Sequence, residues 1–367
     1  MTASAEDRRW MALALTLGRR GMGRVWPNPA VGCVIVSGGR VVGRGWTQAG
    51  GRPHAETEAL AQAGPAATGA TAYVTLEPCS HHGKTPPCAD ALIAAGIARV
   101  VVALNDPDPR VDGSGNARLR TAGLTVTEGV LAEAARADHA GFLLRLSAGR
   151  PFVTLKLASS VDGRIATATG ESRWITGAHA RHRVHGLRLR HDAVMIGGAT
   201  ARQDDPMLTV RGMGVPSQPA RVVLTRRLDL PRGGQLAQTA RDVPLWLCHG
   251  DDAASEDIAF WQTRGAEMIV CPTGPSGQLD PAGALTALAT RGLTRIFCEG
   301  GGALAASLLA ADLVDQLITF TAGAVIGAEG KPSIGAMGLE VLADAPRFAL
   351  HDVVAVGGDT MHIWRRA

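Results

Sequence analysis

The chain has 367 residues, 46% of them hydrophobic, which is enough for two domains with separate cores. A net charge of +4 is too modest for a surface that coats DNA, and 4% aromatics with one tyrosine argue against a base-stacking platform for single-stranded nucleic acid. Six scattered cysteines do not form a disulfide framework, and the lack of any run of about 18 apolar residues predicts no membrane span.

The N-terminus carries Glu6 and Asp7 and no long apolar run, so it is not read as a secretory signal, and a soluble cytoplasmic protein is expected. Residues 5–20 place Trp10, Leu13, Ala14 and Leu17 at helical spacing, closed by Gly21 and Gly23. Trp26-Pro27-Asn28-Pro29 follows as a rigid loop, and residues 31–36 and 41–46 read as a hairpin across Ser37-Gly38-Gly39. Pro53 precedes His54-Ala55-Glu56, which opens a helix ending near Gly64-Pro65. Residues 71–76 form a strand that delivers Pro78-Cys79, and Pro86-Pro87-Cys88 begins the next helix. Strands at 99–104 and 124–127 complete an α/β sandwich whose sheet is largely parallel after the opening hairpin.

His54, Cys79 and Cys88 supply one imidazole and two thiols near predicted helix starts, where unpaired N–H groups and the positive dipole end favour the thiolate. Three protein ligands leave a coordination position for water, as in catalytic rather than structural zinc sites. Glu56, two residues after His54, is the candidate to take a proton from that water and pass it to a leaving amine. His81 and His82 compete as ligands but are preferred as residues shaping the pocket.

Residues 132–146 read as a helix, and Ser147-Ala148-Gly149-Arg150-Pro151 has linker composition. This divides the chain into a first domain, 1–148, holding these candidate ligands, and a second domain, 149–367. The second begins with a core strand at 152–158, followed by a basic helix at 178–191. Most of that basic run reads as a solvated face, although Arg181, His185 and Arg188 share one side and an arginine there suits a phosphate. Short apolar strands follow, holding Cys248, Cys271 and Cys298 as packing residues, and the chain closes with a hairpin at Gly357-Gly358-Asp359. Glu299-Gly300-Gly301-Gly302 is a glycine-rich turn between strand and helix, suited to a phosphate or simply to a tight connection. Arg226 and Arg227 end a strand, where a basic side chain accommodates a ribose 2′-phosphate and favours NADP over NAD, or is a plain surface arginine.

His-x-Glu followed by Pro-Cys matches the zinc nucleobase deaminase signature, except that eight residues separate Cys79 from Cys88 instead of two. That long loop, with Pro27-Asn28-Pro29, Val31-Gly32-Cys33-Val34-Ile35 and Ala70-Thr71-Ala72-Tyr73-Val74-Thr75-Leu76-Glu77, resembles the bifunctional riboflavin biosynthesis family RibD. In the second half, Lys156-Leu157-Ala158-Ser159-Ser160-Val161-Asp162-Gly163-Arg164, Gly170-Glu171-Ser172-Arg173-Trp174-Ile175-Thr176 and Asp204-Asp205-Pro206-Met207-Leu208-Thr209-Val210-Arg211 resemble the reductase half of that family.

The resemblance implies a cytidine-deaminase-like α/β/α domain followed by a dihydrofolate-reductase-like α/β domain. It implies zinc and NADPH as cofactors and a phosphorylated pyrimidine as substrate: a diaminopyrimidinone carrying a phosphoribosylamino group is deaminated, and its ribosyl chain is then reduced to ribityl. By the same resemblance Asn28 holds the pyrimidine, and Ser172, Arg188, Leu208, Arg211 and Glu299 contact the reductase substrate. Ala158, Trp174, Thr200, Asp204 and the turn of Gly301, Gly302, Ala303, Leu304, Ala305, Ala306 and Ser307 contact NADPH. Lys156 and Asp204 are candidates for supplying a proton or polarising the sugar. A homo-oligomer with no nucleic-acid or membrane partner is expected. The alternatives are a nucleic-acid-editing zinc deaminase with a binding C-terminal half, and a non-catalytic zinc module fused to a Rossmann-like binding protein.

Overall fold

The computed structural model describes residues 3–80, 86–108, 111–215 and 217–367. They form two compact units, Met1–Gly149 and Arg150–Ala367.

In the first unit α1 (Ala5–Gly18) leads into the hairpin β1 (Gly32–Ser37) and β2 (Arg40–Trp46), then α2 (Ala55–Ala63), β3 (Thr71–Val74), α3 (Cys88–Ala94), β4 (Arg99–Val102), α4 (Ser114–Thr121), β5 (Thr125–Thr127) and α5 (Ala132–Ala148). The sheet order is β2-β1-β3-β4-β5, antiparallel through β3 and parallel from β3 to β5. Side chains alternate across the strands, so one sheet feeds two cores. Cys33, Ile35, Val100 and Val102 pack with α2 and α3 on one face, and Val34, Val36 and Val101 pack with Trp10, Met11 and Ala14 of α1 on the other. The result is the α/β/α layering expected from the sequence. Gly45 lets α2 lie directly on β2, because a Cβ there would stand 2.1 Å from the Ala55 carbonyl oxygen. That contact seats the start of α2, and with it His54.

Asp7 closes the capping box of α1 with Ser4 and accepts from both Nη atoms of Arg99, at 2.8 and 3.0 Å. Burial pushes its pKa up, but the bonds from Arg99 and Ser4 outweigh this and hold it down to about 2. A folded-state pKa below the unfolded one stabilises the unit above about pH 4, and the benefit is lost as pH falls through about 2. Asp7→Asn is therefore expected to cost about 2 kcal/mol at pH 7, with the gap to the unaltered chain closing near pH 2. Denaturant titrations at the two pH values check this.

The second unit contains β6 (Phe152–Ser160), β7 (Arg164–Ala166), α6 (Ala178–Leu189), β8 (Ala193–Gly197), α7 (Gly198–Asp204), β9 (Ala220–Leu224), α8 (Gln235–Gln238), β10 (Leu245–His249), α9 (Ser255–Thr263), β11 (Glu267–Val270), α10 (Pro281–Thr290), β12 (Arg295–Gly300), α11 (Gly302–Ala310), β13 (Gln316–Ala322), β14 (Lys331–Pro332), β15 (Phe348–Val356) and β16 (Asp359–Arg366). Nine strands form one sheet in the order β11-β10-β9-β8-β12-β6-β13-β16-β15. It is parallel from β11 to β13 and antiparallel in the terminal hairpin. The chain order reverses where β12 inserts between β8 and β6, the kind of switch point at which parallel α/β sheets open a crevice at their carboxyl ends. Cys248, Cys271 and Cys298 are buried in this unit, as expected of packing residues. No helix among the described residues is long and apolar enough to cross a membrane.

Candidate functional site

Three donors converge in the first unit. His54 is the N-cap residue of α2, Cys88 is the first residue of α3, and Cys79 follows the end of β3. Their ligand atoms lie within 4.8 Å of one another. His54 Nδ1 is 3.3 Å from Cys88 Sγ and 3.7 Å from Cys79 Sγ. A tetrahedral ion with Zn–N of about 2.0–2.1 Å and Zn–S of about 2.3 Å needs N···S separations of about 3.6 Å, so these side chains fit zinc. Cys79 is in a loop and not at a helix start as expected, but the Cys88 N–H that opens α3 donates to its sulfur at 3.4 Å. The Cys88 thiol, this N–H and the His54 imidazole favour the Cys79 thiolate and bring its pKa down to about 4. The thiolate is the form a metal needs.

Glu56 lies in the first turn of α2 and is buried. Burial raises its pKa to about 7, against the opposing pull of His54. An acid poised near neutrality beside a metal site can both accept and return a proton. Asn28 Nδ2 donates to the Gly51 carbonyl at 3.3 Å, three residues before His54. His81 and His82 lie outside the described residues.

In the second unit a cavity of about 230 Å³ is lined by Ala158, Ser172, Trp174, Arg188, Arg211 and Glu299. Lys156, on β6, lines it too, and so do Arg181 and His185 of α6, of which the sequence showed only a shared helical face. Arg188 and Glu299 form a forked pair: Nε donates to Oε1, Nη2 donates to Oε2 at 2.9 Å, and Nη1 donates to the Thr209 carbonyl at 2.7 Å. Burial pushes the Glu299 pKa up, but the Arg188 guanidinium more than offsets it and holds the carboxyl below its usual range. Burial lowers the Lys156 pKa, and Glu299 and Asp204 oppose that shift. Arg181 stacks on the Trp174 ring, 4.5 Å from its centroid.

The glycine turn stands at the carboxyl end of β12. Gly300 and Gly301 take positive φ of 63° and 96°, and Thr200 Oγ1 donates to the Gly300 carbonyl at 2.9 Å. A Cβ on Gly301 would meet Thr200 Oγ1 at 2.5 Å, so only glycine leaves this mouth open. α11 begins there, and its first N–H groups have no partner within the helix, which suits a cofactor phosphate. Ala305 and Ala306 turn inward and are buried, and Ser307 Oγ donates to the Ala303 carbonyl. Leu208 is buried in the core beside β8 and β9, so its side chain does not reach the cavity and only its backbone remains for a ligand. Arg226 is occupied by Asp252, at 2.7 Å, and by the Gly277 carbonyl, whereas Arg227 is exposed.

Fold and site together define a two-unit enzyme, a zinc-type pyrimidine deaminase joined to a reductase. Residues 4–104 match the cytidine and deoxycytidylate deaminase zinc-binding region, and residues 151–362 match the RibD C-terminal domain. The riboflavin biosynthesis protein RibD of Escherichia coli K12 is 41% identical over 366 residues, covering 96% of this chain and 98% of that protein. A solved structure of Acinetobacter baumannii RibD shares 36% identity and a TM-score of 0.87, with 99% of each chain covered. The Thermotoga maritima diaminohydroxyphosphoribosylaminopyrimidine deaminase/5-amino-6-(5-phosphoribosylamino)uracil reductase is 31% identical with a TM-score of 0.86, again over 99% of each chain. The chain belongs to the RibD family, as the motifs implied.

Proposed function

We propose that this chain carries out two consecutive steps of riboflavin biosynthesis, deamination of the diaminopyrimidinone phosphoribosyl substrate by residues 1–148 and reduction of its ribosyl chain by residues 149–367. The observation that carries this reading is the meeting of His54, Cys79 and Cys88 beside a buried Glu56 in one unit, with a separate cavity around Arg188–Glu299 in the other.

Zinc, when bound by His54, Cys79 and Cys88, makes the attacking water acidic enough to react near neutral pH. Glu56 takes one proton of that water on its carboxylate and passes it to the ring nitrogen, then takes the second from the added hydroxyl and passes it to the exocyclic amine, which leaves as ammonia as the carbonyl forms. Asn28 orients the pyrimidine. In the second unit Ser172 and Arg211 bind the substrate, Glu299 holds the ribosyl hydroxyls, and Arg188 keeps Glu299 ionised and in place. NADPH, when bound along Ala158, Trp174, Thr200, Asp204 and the backbone that opens α11, supplies the hydride. Lys156, at the cavity wall between the charges of Glu299 and Asp204, is the proton donor to the opening sugar. The protein's part in this step is alignment and exclusion of water.

The ligand is a small phosphorylated pyrimidine and not a nucleic acid, a reading supported by the 4% aromatic content and the small net charge. The protein acts in the cytoplasm as a homo-oligomer, for which the edge strand β15, with Leu350 and Val353 exposed, offers a face. Purified chain is expected to hold one zinc per polypeptide and to release one ammonia per diaminopyrimidinone consumed. A Cys88→Ser chain is expected to lose both the metal and the ammonia release, as elemental analysis and ammonia assay would read.

A further inference from the structure

We propose that Glu77 is a positioning residue of the deaminase site: its carboxylate caps the N-terminus of α4 and thereby fixes the segment that presents Cys79. The inference rests on the reading of His54, Cys79 and Cys88 as zinc ligands. α4 has Gly113 at its N-cap, with φ of +80° and no side chain to accept from the first turn. Glu77 takes that role from across the fold. Its Oε1 accepts from the Asn116 N–H at 3.0 Å, and its Oε2 accepts from the Gly113 and Asp106 N–H groups, each at 3.2 Å. An anion at a helix N-terminus meets both unpaired N–H groups and the positive dipole end.

The same junction is tied on both sides of Cys79. Gly115 packs so closely on Pro78 that a Cβ would stand 2.0 Å from the Pro78 carbonyl oxygen. Ser80 Oγ lies 2.5 Å from Ser114 Oγ. Residues 77, 78 and 80 are therefore each held by the turn that opens α4, and the ligand between them inherits its position. Glu77 is buried, so its oxygens have no bulk water to replace these bonds.

Glu77→Gln keeps the shape and replaces one acceptor oxygen with an NH2 group facing an N–H donor. Outer partners of metal ligands typically change metal affinity by about 10–100-fold when altered. The test is zinc affinity of the full chain by chelator competition, together with the visible absorption spectrum of its cobalt(II) form and a thermal melt. The expected result is a folded Glu77→Gln chain that binds zinc at least about tenfold more weakly and shows shifted cobalt bands. Unchanged affinity and an unchanged spectrum overturn the proposal. Should Glu77→Gln fail to fold, Ser80→Ala removes the tie to Ser114 and leaves the bond from Ser114 Oγ to the Val111 carbonyl in place: about tenfold weaker zinc binding supports the proposal, and no change overturns it. The unaltered chain in the same titration separates the two levels, because its failure to bind zinc defeats the underlying metal reading and not the role of Glu77.

Discussion

Glu56→Gln is expected to lower ammonia release by about 10³-fold, within the range for loss of a general acid–base group. The amide keeps the shape of the side chain and its buried place in α2, so the fold of the unit is retained. It cannot take a proton from water or return one to the leaving amine. Zinc content stays at one per chain, because Glu56 is not among the three ligand residues. The reductase step is unaffected, since Glu56 belongs to the first compact unit and the Arg188–Glu299 cavity to the second.

Arg188→Met is expected to have the largest effect on stability. It leaves the Glu299 carboxylate, largely shielded at the cavity wall, without its forked partner and removes one bond to the Thr209 carbonyl. Breaking one side of a buried pair typically costs about 3–5 kcal/mol, mostly for the charge left behind. Adding Glu299→Gln to the same chain should recover most of that loss, because the uncompensated charge is gone. Reductase turnover stays low in both variants, since both residues line the cavity. Urea titration of the second unit and NADPH oxidation on the deaminated substrate separate the two effects.

The candidate zinc site was legible because its residues are chemically rare and bracket predicted element ends. His54, Cys79 and Cys88 were picked out together, and folding brings their ligand atoms within 4.8 Å of one another. Glu77 was visible only as part of a family motif. Its role depends on three N–H groups at residues 106, 113 and 116, which no local pattern connects to it. For the same reason α4 went unread: Gly113-Ser114-Gly115-Asn116 looks like a loop, and the capping that makes it a helix start comes from a distant strand end. β13, between β6 and β16, was missed as well, and its pairing partners lie far off in sequence. In the reductase half, Leu208 is a substrate contact only by the family resemblance, and its side chain packs in the core, which leaves its backbone for that role. Spacing leaves Arg188 as one of three basic residues on a helical face, and only the family resemblance separates it from Arg181 and His185; in the structure its pairing with Glu299 does so.

Two separate sites are expected to act in order on one molecule. NADPH oxidation by the Glu56→Gln chain, supplied first with the diaminopyrimidinone and then with the deaminated uracil compound, tests it most directly. Almost no oxidation is expected with the first substrate, and the rate of the unaltered chain with the second. Equal oxidation on both substrates, or none on either, would contradict it.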